Sequence, residues 1–195
     1  MFIPAAHISS GITQNIPPVF CSEIEISEQF QYVLYLTFIQ DRPKLKLMNL
    51  KTVLSKDVIC LNLKGTNKEE IINELLDILV AAKKIDDRTA AYNAILEREH
   101  KMSTGMKHGI AIPHGKSPTI NDLVACIGIS HVPVDFDALD HEPCRIFIMT
   151  LSPVEKTGPH LQFLAEISLL FKSSEKRSDI LKASTADEVL RILSE

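Results

Sequence analysis

A histidine that follows a short apolar run is the residue in this sequence best placed for chemistry. Residues 110–112 read Ile-Ala-Ile between two glycines, which predicts a buried strand. Pro113 cannot donate a hydrogen bond to a neighbouring strand, so we expect pairing to end there. His114 would then leave the carboxyl edge of a sheet, held by a rigid element yet within reach of solvent and of a partner.

An imidazole at such an edge can carry a phosphoryl group. The neutral ring is a good nucleophile toward phosphorus and ionises near neutral pH, so it can accept and release the group reversibly. The alternative is a surface histidine with no chemical role, and residue type alone favours that alternative.

Polar residues upstream of the strand could assist the same chemistry. Asp86 and Asp87 can cap a helix that delivers Arg98 near its C-terminal end. The planar guanidinium of Arg98 could donate two hydrogen bonds to phosphate oxygens, although an ordinary surface arginine would look the same in the sequence. Ser103 and Thr104 offer hydroxyls in the loop before the strand, which could bond imidazole or phosphate.

A second histidine stands at the predicted start of a later helix. Pro159 suits the first helical position and would put His160 in the first turn. A helix N-terminus attracts phosphate and disfavours an imidazolium, so His160 would stay neutral and donate a hydrogen bond. We expect it to bond a phosphate oxygen or the ring of His114, fixing the tautomer that leaves one nitrogen of His114 free to attack. A plain helix-start histidine is the alternative.

These residues fall into a recognisable pattern. Arg98-Glu99, Ser103-Thr104-Gly105 and the run Gly-Ile-Ala-Ile-Pro-His-Gly at 109–115 together resemble the active-site signature of the type 2 enzyme IIA domains of the bacterial sugar phosphotransferase system. This is the fructose, mannitol and nitrogen-regulatory group. The resemblance extends from about Met48 to the end of the chain, and it includes His160 at the place of the family's second active-site histidine.

The resemblance implies a mechanism and partners. His114 would receive a phosphoryl group from the phosphohistidine of HPr and pass it to a IIB component, or its phosphorylation state would act as a signal to a regulatory target protein. We favour the nitrogen-regulatory use; a dedicated sugar-uptake subunit and a non-catalytic protein-binding module with a IIA-like fold are the alternatives. No metal or bound cofactor is implied. Ile112, Met102 and Met106 are candidates for an apolar docking rim.

Composition limits the other possibilities. The chain has 195 residues and a net charge of −4, which offers no basic field for nucleic acid or acidic lipid. The longest apolar run of the first part, residues 30–39, is too short to span a bilayer, and no basic start precedes it as in a signal peptide. The four cysteines show no C-x-x-C spacing, which favours reduced thiols and a cytoplasmic protein.

Two parts of the chain differ in character. Residues 1–47 contain no lysine or arginine before Arg42 and have no assigned role, and we hypothesise that Met48 is the true start of the working protein. Residues 48–195 form the IIA-like domain. Their alternating strands and helices predict an α/β fold, a single domain with a mixed, mostly parallel sheet flanked by helices on both faces.

Individual elements follow from periodicity and capping. Strands are predicted at 58–63, 123–129 and 145–151, with a turn and a short edge strand at 132–139. Asn67 and Glu70 form a capping-box pattern before a helix whose inner face includes Val80. Two short helices, one at 174–183 and one capped by Thr185, close the chain.

Two rival motifs fail on geometry. Residues 109–117 imitate the phosphate-binding pattern G-x-x-x-x-G-K-S/T, but five residues separate the glycines where the pattern has four, and Pro113 removes an N–H group. His108 and His114 lie six residues apart, which along a strand is roughly 20 Å, too far for two ligands of one zinc ion.

Overall fold

The structure, a computed structural model, describes residues 50–194, with the side chain of Lys51 left out. The extension predicted for residues 1–47 and the start proposed at Met48 lie outside the described residues, as does Cys21. Of the other cysteines, Cys126 and Cys144 are buried free thiols, as expected, and Cys60 is partly exposed. Burial raises the pKa of the Cys144 thiol to about 12.

Helices and strands alternate along most of the chain. In order they are α1 (Leu50–Val53), a 3-10 turn (Lys56–Val58), β1 (Ile59–Leu63), α2 (Lys68–Ala81), α3 (Arg88–Lys101), β2 (Ile110–Ala111), β3 (His114–Lys116), β4 (Val124–Val134), β5 (Cys144–Ser152), α4 (Thr157–Leu170), α5 (Ser174–Lys182) and α6 (Ala186–Ile192). Among these helices, none combines the length and the apolar character that crossing a bilayer requires.

The five strands form one sheet in the order β1-β4-β5-β2, with β3 also pairing with β5. β1 runs parallel to β4, and both β2 and β3 run parallel to β5, while β4 and β5 are antiparallel. Every residue of 125–130 in β4 and of 146–152 in β5 is buried. Since successive strand residues point to opposite faces, both faces of the sheet are covered. The predicted mixed, mostly parallel α/β fold is confirmed.

Helix α2 is capped by the predicted pair. The Asn67 side chain accepts a hydrogen bond from the Glu70 amide at 2.9 Å, and the Glu70 carboxylate accepts one from the Thr66 amide at 2.7 Å. Five apolar side chains of α2 are buried: Ile71, Ile72, Leu75, Leu76 and Leu79. Val80 is 39% exposed, so its assignment to the inner face was wrong. At 100° per residue, Val80 lies roughly 110° from the middle of that stripe.

The short edge strand predicted within 132–139 is also wrong. β4 continues to Val134, and the residues after it form the connection to β5. The pairing of β4 is irregular between Ile129 and Val134, where the Ser130 hydroxyl donates to the Val132 carbonyl at 2.6 Å. A serine that bonds the nearby backbone disturbs the ladder locally, which in sequence resembles a turn between two strands.

The last two helices begin close to where they were predicted, and the cap predicted at Thr185 is found. The Ser173 hydroxyl accepts from the Lys176 amide at the start of α5, and the Thr185 hydroxyl accepts from the Glu188 amide at the start of α6. α6 contacts β1, so the last helix packs against the first strand.

Candidate active site

His114 opens strand β3, opposite Thr150 near the carboxyl end of β5. Pairing was expected to end at Pro113, but it resumes at once. The Pro113 carbonyl accepts a hydrogen bond from the Thr150 amide at 3.0 Å, so the proline interrupts the ladder only by the N–H group that it lacks. His114 is half-buried and is held by strand pairing on both sides of the interruption.

The ring of His114 is anchored by the backbone. Its Nδ1 lies 2.8 Å from the carbonyl oxygen of Ile112. A carbonyl can only accept, so Nδ1 carries the hydrogen and the lone pair of the neutral ring is on Nε2. From the sequence, His160 was expected to fix this tautomer. In the structure the hydrogen bond at Nδ1 is made with the carbonyl of Ile112, and a backbone carbonyl leaves no side-chain pattern in the sequence.

The pKa of His114 is lowered from its usual value to about 4. Burial is the largest cause, because it disfavours the charged ring. The positive charge of Arg98 acts in the same direction, as does that of Lys116, whereas the hydrogen bond to the Ile112 carbonyl opposes them. His114 is therefore neutral at pH 7, the protonation state in which Nε2 can act as a nucleophile.

His160 lies close to His114 on a different element. α4 begins at Thr157, so Pro159 is its third residue, against the expectation that it would be the first, and His160 is its fourth. His160 is only 3% exposed, and its Nδ1 lies 2.8 Å from the Ser152 hydroxyl oxygen. The centroids of the two histidine rings are 5.5 Å apart, with the ring planes inclined by 54°.

Arg98 lies in the last turn of α3, as predicted, and is half-buried. Its guanidinium donates to the Met102 carbonyl at 2.9 Å, and its charge acts on the pKa of His114. Close packing of α3 against β3 makes this proximity possible. A Cβ on Gly115 would lie 2.8 Å from the backbone of Ala94, so only glycine admits the helix at this distance.

Ser103 and Thr104 are engaged elsewhere. The Ser103 hydroxyl donates to the Phe136 carbonyl at 2.7 Å, and the Thr104 hydroxyl donates to the Glu99 carboxylate at 2.5 Å. In this conformation neither hydroxyl proton is directed to His114, and a role for either in holding phosphate stays a prediction.

Two charged residues had been given no role in the sequence analysis. Lys116 follows His114 by two positions on β3, which in a strand places both on one face, and its Nζ donates to the Thr157 hydroxyl at 3.2 Å at the start of α4. The spacing of two residues could have been used in the sequence to predict that Lys116 lies near His114. Glu99 is 8% exposed and binds Thr104 and Lys68. Its position inside the signature was the only sequence sign of its importance.

Together these residues make a site suited to a dianionic group. A neutral nucleophilic nitrogen stands beside a second imidazole, two cationic side chains and the N-terminal end of a helix, whose backbone N–H groups favour negative charge. Of the residues expected near His114, the structure brings His160 and Arg98 to it.

Comparison with known proteins agrees with this geometry. Residues 52–195 match the family described as phosphoenolpyruvate-dependent sugar phosphotransferase system, EIIA 2. The chain belongs to this family. The predicted family resemblance is confirmed.

The relatives include separate IIA proteins and larger proteins. The fructose-specific EIIA component of Haloferax volcanii is 34% identical over 147 residues, which cover 75% of this chain and 96% of that protein. The fructose-specific EIIABC component of Bacillus subtilis is 34% identical over 148 residues, 76% of this chain, and the chain matches only 23% of that protein's length.

Solved structures share the fold. The nitrogen regulatory protein IIA-Ntr of Neisseria meningitidis superposes with a TM-score of 0.71 at 27% identity, covering 75% of this chain and 99% of that one. The mannitol IIA of Escherichia coli, solved in complex with phosphorylated IIB, superposes with a TM-score of 0.63 at 21% identity, covering 72% of this chain and 96% of that one. At that identity the second likeness concerns the fold alone.

The three candidates for an apolar docking rim differ in exposure. Met102, just past the end of α3, is 46% exposed, and Met106 is partly exposed. Ile112 is buried at 4% exposure, so it was wrongly assigned to the rim. Its side chain belongs to the core, and its contribution to the site is its backbone carbonyl.

Proposed function

We propose that Nε2 of His114 accepts a phosphoryl group from the phosphohistidine of an HPr-type carrier and donates it to a IIB component or holds it as a signal. The hydrogen bond between His114 Nδ1 and the Ile112 carbonyl carries this proposal. It leaves the Nε2 lone pair as the nucleophile, and the lowered pKa keeps that lone pair unprotonated at neutral pH.

The movement of electrons in this step is consistent with the hydrogen bond that holds the ring of His114. The Nε2 lone pair forms the new N–P bond while the N–P bond of the donor breaks, and its electron pair returns to the donor nitrogen. The ring of His114 keeps its Nδ1 hydrogen and so gains positive charge. The Ile112 carbonyl dipole stabilises that charge, just as it opposes the lowering of the pKa.

The transferred group brings about two negative charges to the site. Arg98 and Lys116 supply positive charge near His114, and the first turn of α4 supplies N–H groups beside His160. The burial that disfavours a bare imidazolium also strengthens these attractions, because the local dielectric is low. Phosphoryl transfer of this kind depends on positioning and charge stabilisation more than on acid–base chemistry.

Two uses of the phosphorylated protein share this step. In sugar uptake a IIB component takes the phosphoryl group, a use supported by the fructose-specific relatives. In nitrogen-type regulation the added charge governs binding of another protein. This use is supported by the superposition on a nitrogen regulatory protein, which has a higher TM-score than the superposition on the mannitol IIA. We favour the regulatory use, which was also expected from the sequence. A protein-binding module that never takes up phosphate is the remaining alternative.

The decisive experiment is phosphorylation with enzyme I, HPr and phosphoenolpyruvate. We expect a base-stable, acid-labile phosphate on the wild type and none on His114→Ala. Exposed His131 provides the control, since His131→Ala should label like the wild type. If the wild type fails to label while a known IIA domain labels in parallel, the remaining interpretation is a protein-binding module that never takes up phosphate.

A second measurement separates the two uses. Transfer from the labelled protein to a purified IIB domain would indicate uptake. Capture of a protein without IIB homology by only one phosphorylation state of this chain would indicate regulation.

A further inference from the structure

A partly buried ion pair joins the last turn of α3 to the first residue of α2. The Glu99 carboxylate, in the last turn of α3, is 5% exposed and accepts from Lys68 Nζ at 3.0 Å. Lys68 also bonds the exposed carboxylate of Asp137 at 2.6 Å and lies over the ring of Phe136, 4.9 Å from its centroid. Burial by itself would lower the pKa of Lys68, but the hydrogen bonds to Asp137 and Glu99 raise it, so Lys68 stays charged.

The same carboxylate clamps the loop that precedes β2. Both Glu99 oxygens accept from the Thr104 amide at 3.1 Å, and one also accepts from the Thr104 hydroxyl at 2.5 Å. Three hydrogen bonds from one residue to a buried carboxylate define the position of Thr104 closely, since charge-assisted bonds are shorter and stronger than neutral ones.

From Thr104 the contacts continue to the reactive ring in two steps. The Thr104 carbonyl accepts a hydrogen bond from the Ile112 amide at 3.0 Å, and the Ile112 carbonyl is the acceptor for His114 Nδ1 at 2.8 Å. Ile112 directly precedes Pro113, so its backbone lacks the strand pairing with β5 that residues 110 and 111 have. The bond to Thr104 holds the peptide plane that enters Ile112. The next plane, whose oxygen accepts the hydrogen bond from His114, is joined to it through the Ile112 Cα, where the following proline restricts rotation.

We propose that Glu99, charged and held by Lys68, is a positioning residue that fixes the Nδ1–H tautomer and the orientation of His114 through Thr104 and Ile112. This inference rests on the proposed function for its biological meaning, though not for its test. Without the clamp the backbone before Ile112 is held less firmly, and the Ile112 carbonyl can shift away from Nδ1. The hydrogen of the neutral ring then distributes between Nδ1 and Nε2, and the Nε2–H form cannot attack phosphorus through Nε2.

Ring nitrogen NMR of the unphosphorylated, histidine-labelled protein at pH 7 tests the tautomer directly. In the wild type we expect His114 to show a protonated Nδ1 and an unprotonated Nε2. In Glu99→Ala the Nε2–H form should appear in the His114 signals. The ring of His160, anchored independently by Ser152, should keep its wild-type signals. General loosening of the fold would disturb both rings, whereas loss of positioning disturbs one.

Matched variants make the test specific. Glu97→Ala removes a carboxylate from the same helix, but this one is 75% exposed and paired with Lys101, so both rings should keep their wild-type signals. Glu99→Gln keeps the volume and one acceptor for Thr104 and loses the ion pair with Lys68, so the tautomer shift should be smaller than in Glu99→Ala. If Glu99→Ala does not fold, the ring nitrogen signals of Glu99→Gln alone test the proposal.

Phosphoryl transfer gives the second readout. Glu99→Ala should transfer about tenfold more slowly than the wild type, the lower end of the range found when outer-shell partners of metal-ligating histidines are removed. Unchanged His114 ring signals in the folded Glu99 variants would overturn the proposal, as would equal disturbance of both rings. A wild type that shows the Nδ1–H tautomer but never labels would instead count against the proposed function and leave the positioning role intact.

Discussion

The ring centroids of His114 and His160 lie 5.5 Å apart, with the ring planes inclined by 54°, and each ring is held by its own hydrogen bond. A backbone carbonyl, that of Ile112, holds the first, and a side-chain hydroxyl, that of Ser152, holds the second. The two rings stand on different elements, β3 and α4, so they can differ in role. In the proposed function, His114 offers a lone pair to phosphorus and His160 stabilises the negative charge of the phosphoryl group.

Removing the second ring should slow transfer without abolishing it. In His160→Ala the nucleophile and its anchor remain, but one donor to the phosphoryl oxygens is lost. Loss of a single such donor elsewhere costs about a hundredfold or more in rate. Single-turnover transfer from phosphorylated HPr measures the change, with His131→Ala as the exposed-histidine control. A His160→Ala rate within a factor of two of the wild type would assign His160 to the core alone.

The anchor of His160 can be tested separately. Ser152→Ala removes the hydroxyl that contacts Nδ1, which should cost about 1 kcal/mol of stability and let the His160 ring change tautomer. Ring nitrogen signals of His160 should shift while those of His114 stay. Ser130→Ala is the matched control, because Ser130 is equally buried but bonds the backbone of its own strand. Shifted His160 signals in the control variant as well would contradict a specific anchor.

The titration of His114 should occur far below that of an ordinary histidine. NMR titration of the wild type should give a pKa of about 4. Arg98→Ala should raise this pKa, because a nearby positive charge is removed, and Lys116→Ala should raise it less. Neither should restore the ordinary value, since burial is the largest cause of the lowering. Lys101→Ala removes an exposed charge from the end of the same helix as Arg98 and should leave the pKa unchanged.

The same shift makes stability depend on pH. The unfolded chain takes up the His114 proton near pH 6.5, and the folded protein only near pH 4. Below pH 6.5 the unfolded state therefore binds more protons, and the free energy of unfolding falls as the pH drops toward 4. Denaturant unfolding at pH 7, 5.5 and 4.5 should show this loss, and His114→Asn should show less of it. An equal slope in the variant would place the cause in other groups.

Much of the site could be predicted because its residues lie close in sequence to recognisable boundaries. Caps such as Asn67 and Asp87 mark helix starts by a local hydrogen bond, and both were found as expected. Arg98 followed from the length of the helix that Asp87 begins. His160 followed from a proline near a helix start, even though that proline is the third helical residue.

The missed features depend on contacts distant in sequence. The tautomer of His114 is set by a main-chain carbonyl, which carries no side-chain signal. Glu99 meets Lys68 across 31 positions, and only the folded chain brings the two together. Ser103 bonds the Phe136 carbonyl, 33 positions away, a partner that the sequence did not predict. Hydroxyls in loops have many acceptors within reach, so their partners are decided by packing.

The same substitution by alanine should have different effects at Gly115 and at Gly158. Gly115→Ala would put a methyl group 2.8 Å from the Ala94 backbone, which cannot move alone, so α3 must shift away from β3. We expect a loss of about 1–3 kcal/mol in the free energy of unfolding. Arg98 would move with α3, and the pKa of His114 should rise as charge and burial are both reduced.

Gly158, in the first turn of α4, has nothing within 4 Å of an added Cβ other than its two chain neighbours. Gly158→Ala should change stability by less than about 1 kcal/mol, because the lower backbone freedom of alanine is offset by contact of its Cβ with the ring of Pro159, and it should leave the pKa of His114 unchanged. Thermal unfolding and NMR titration of both variants measure the contrast. If Gly115→Ala matched Gly158→Ala in both quantities, the close approach of α3 would not be what brings Arg98 to the ring of His114.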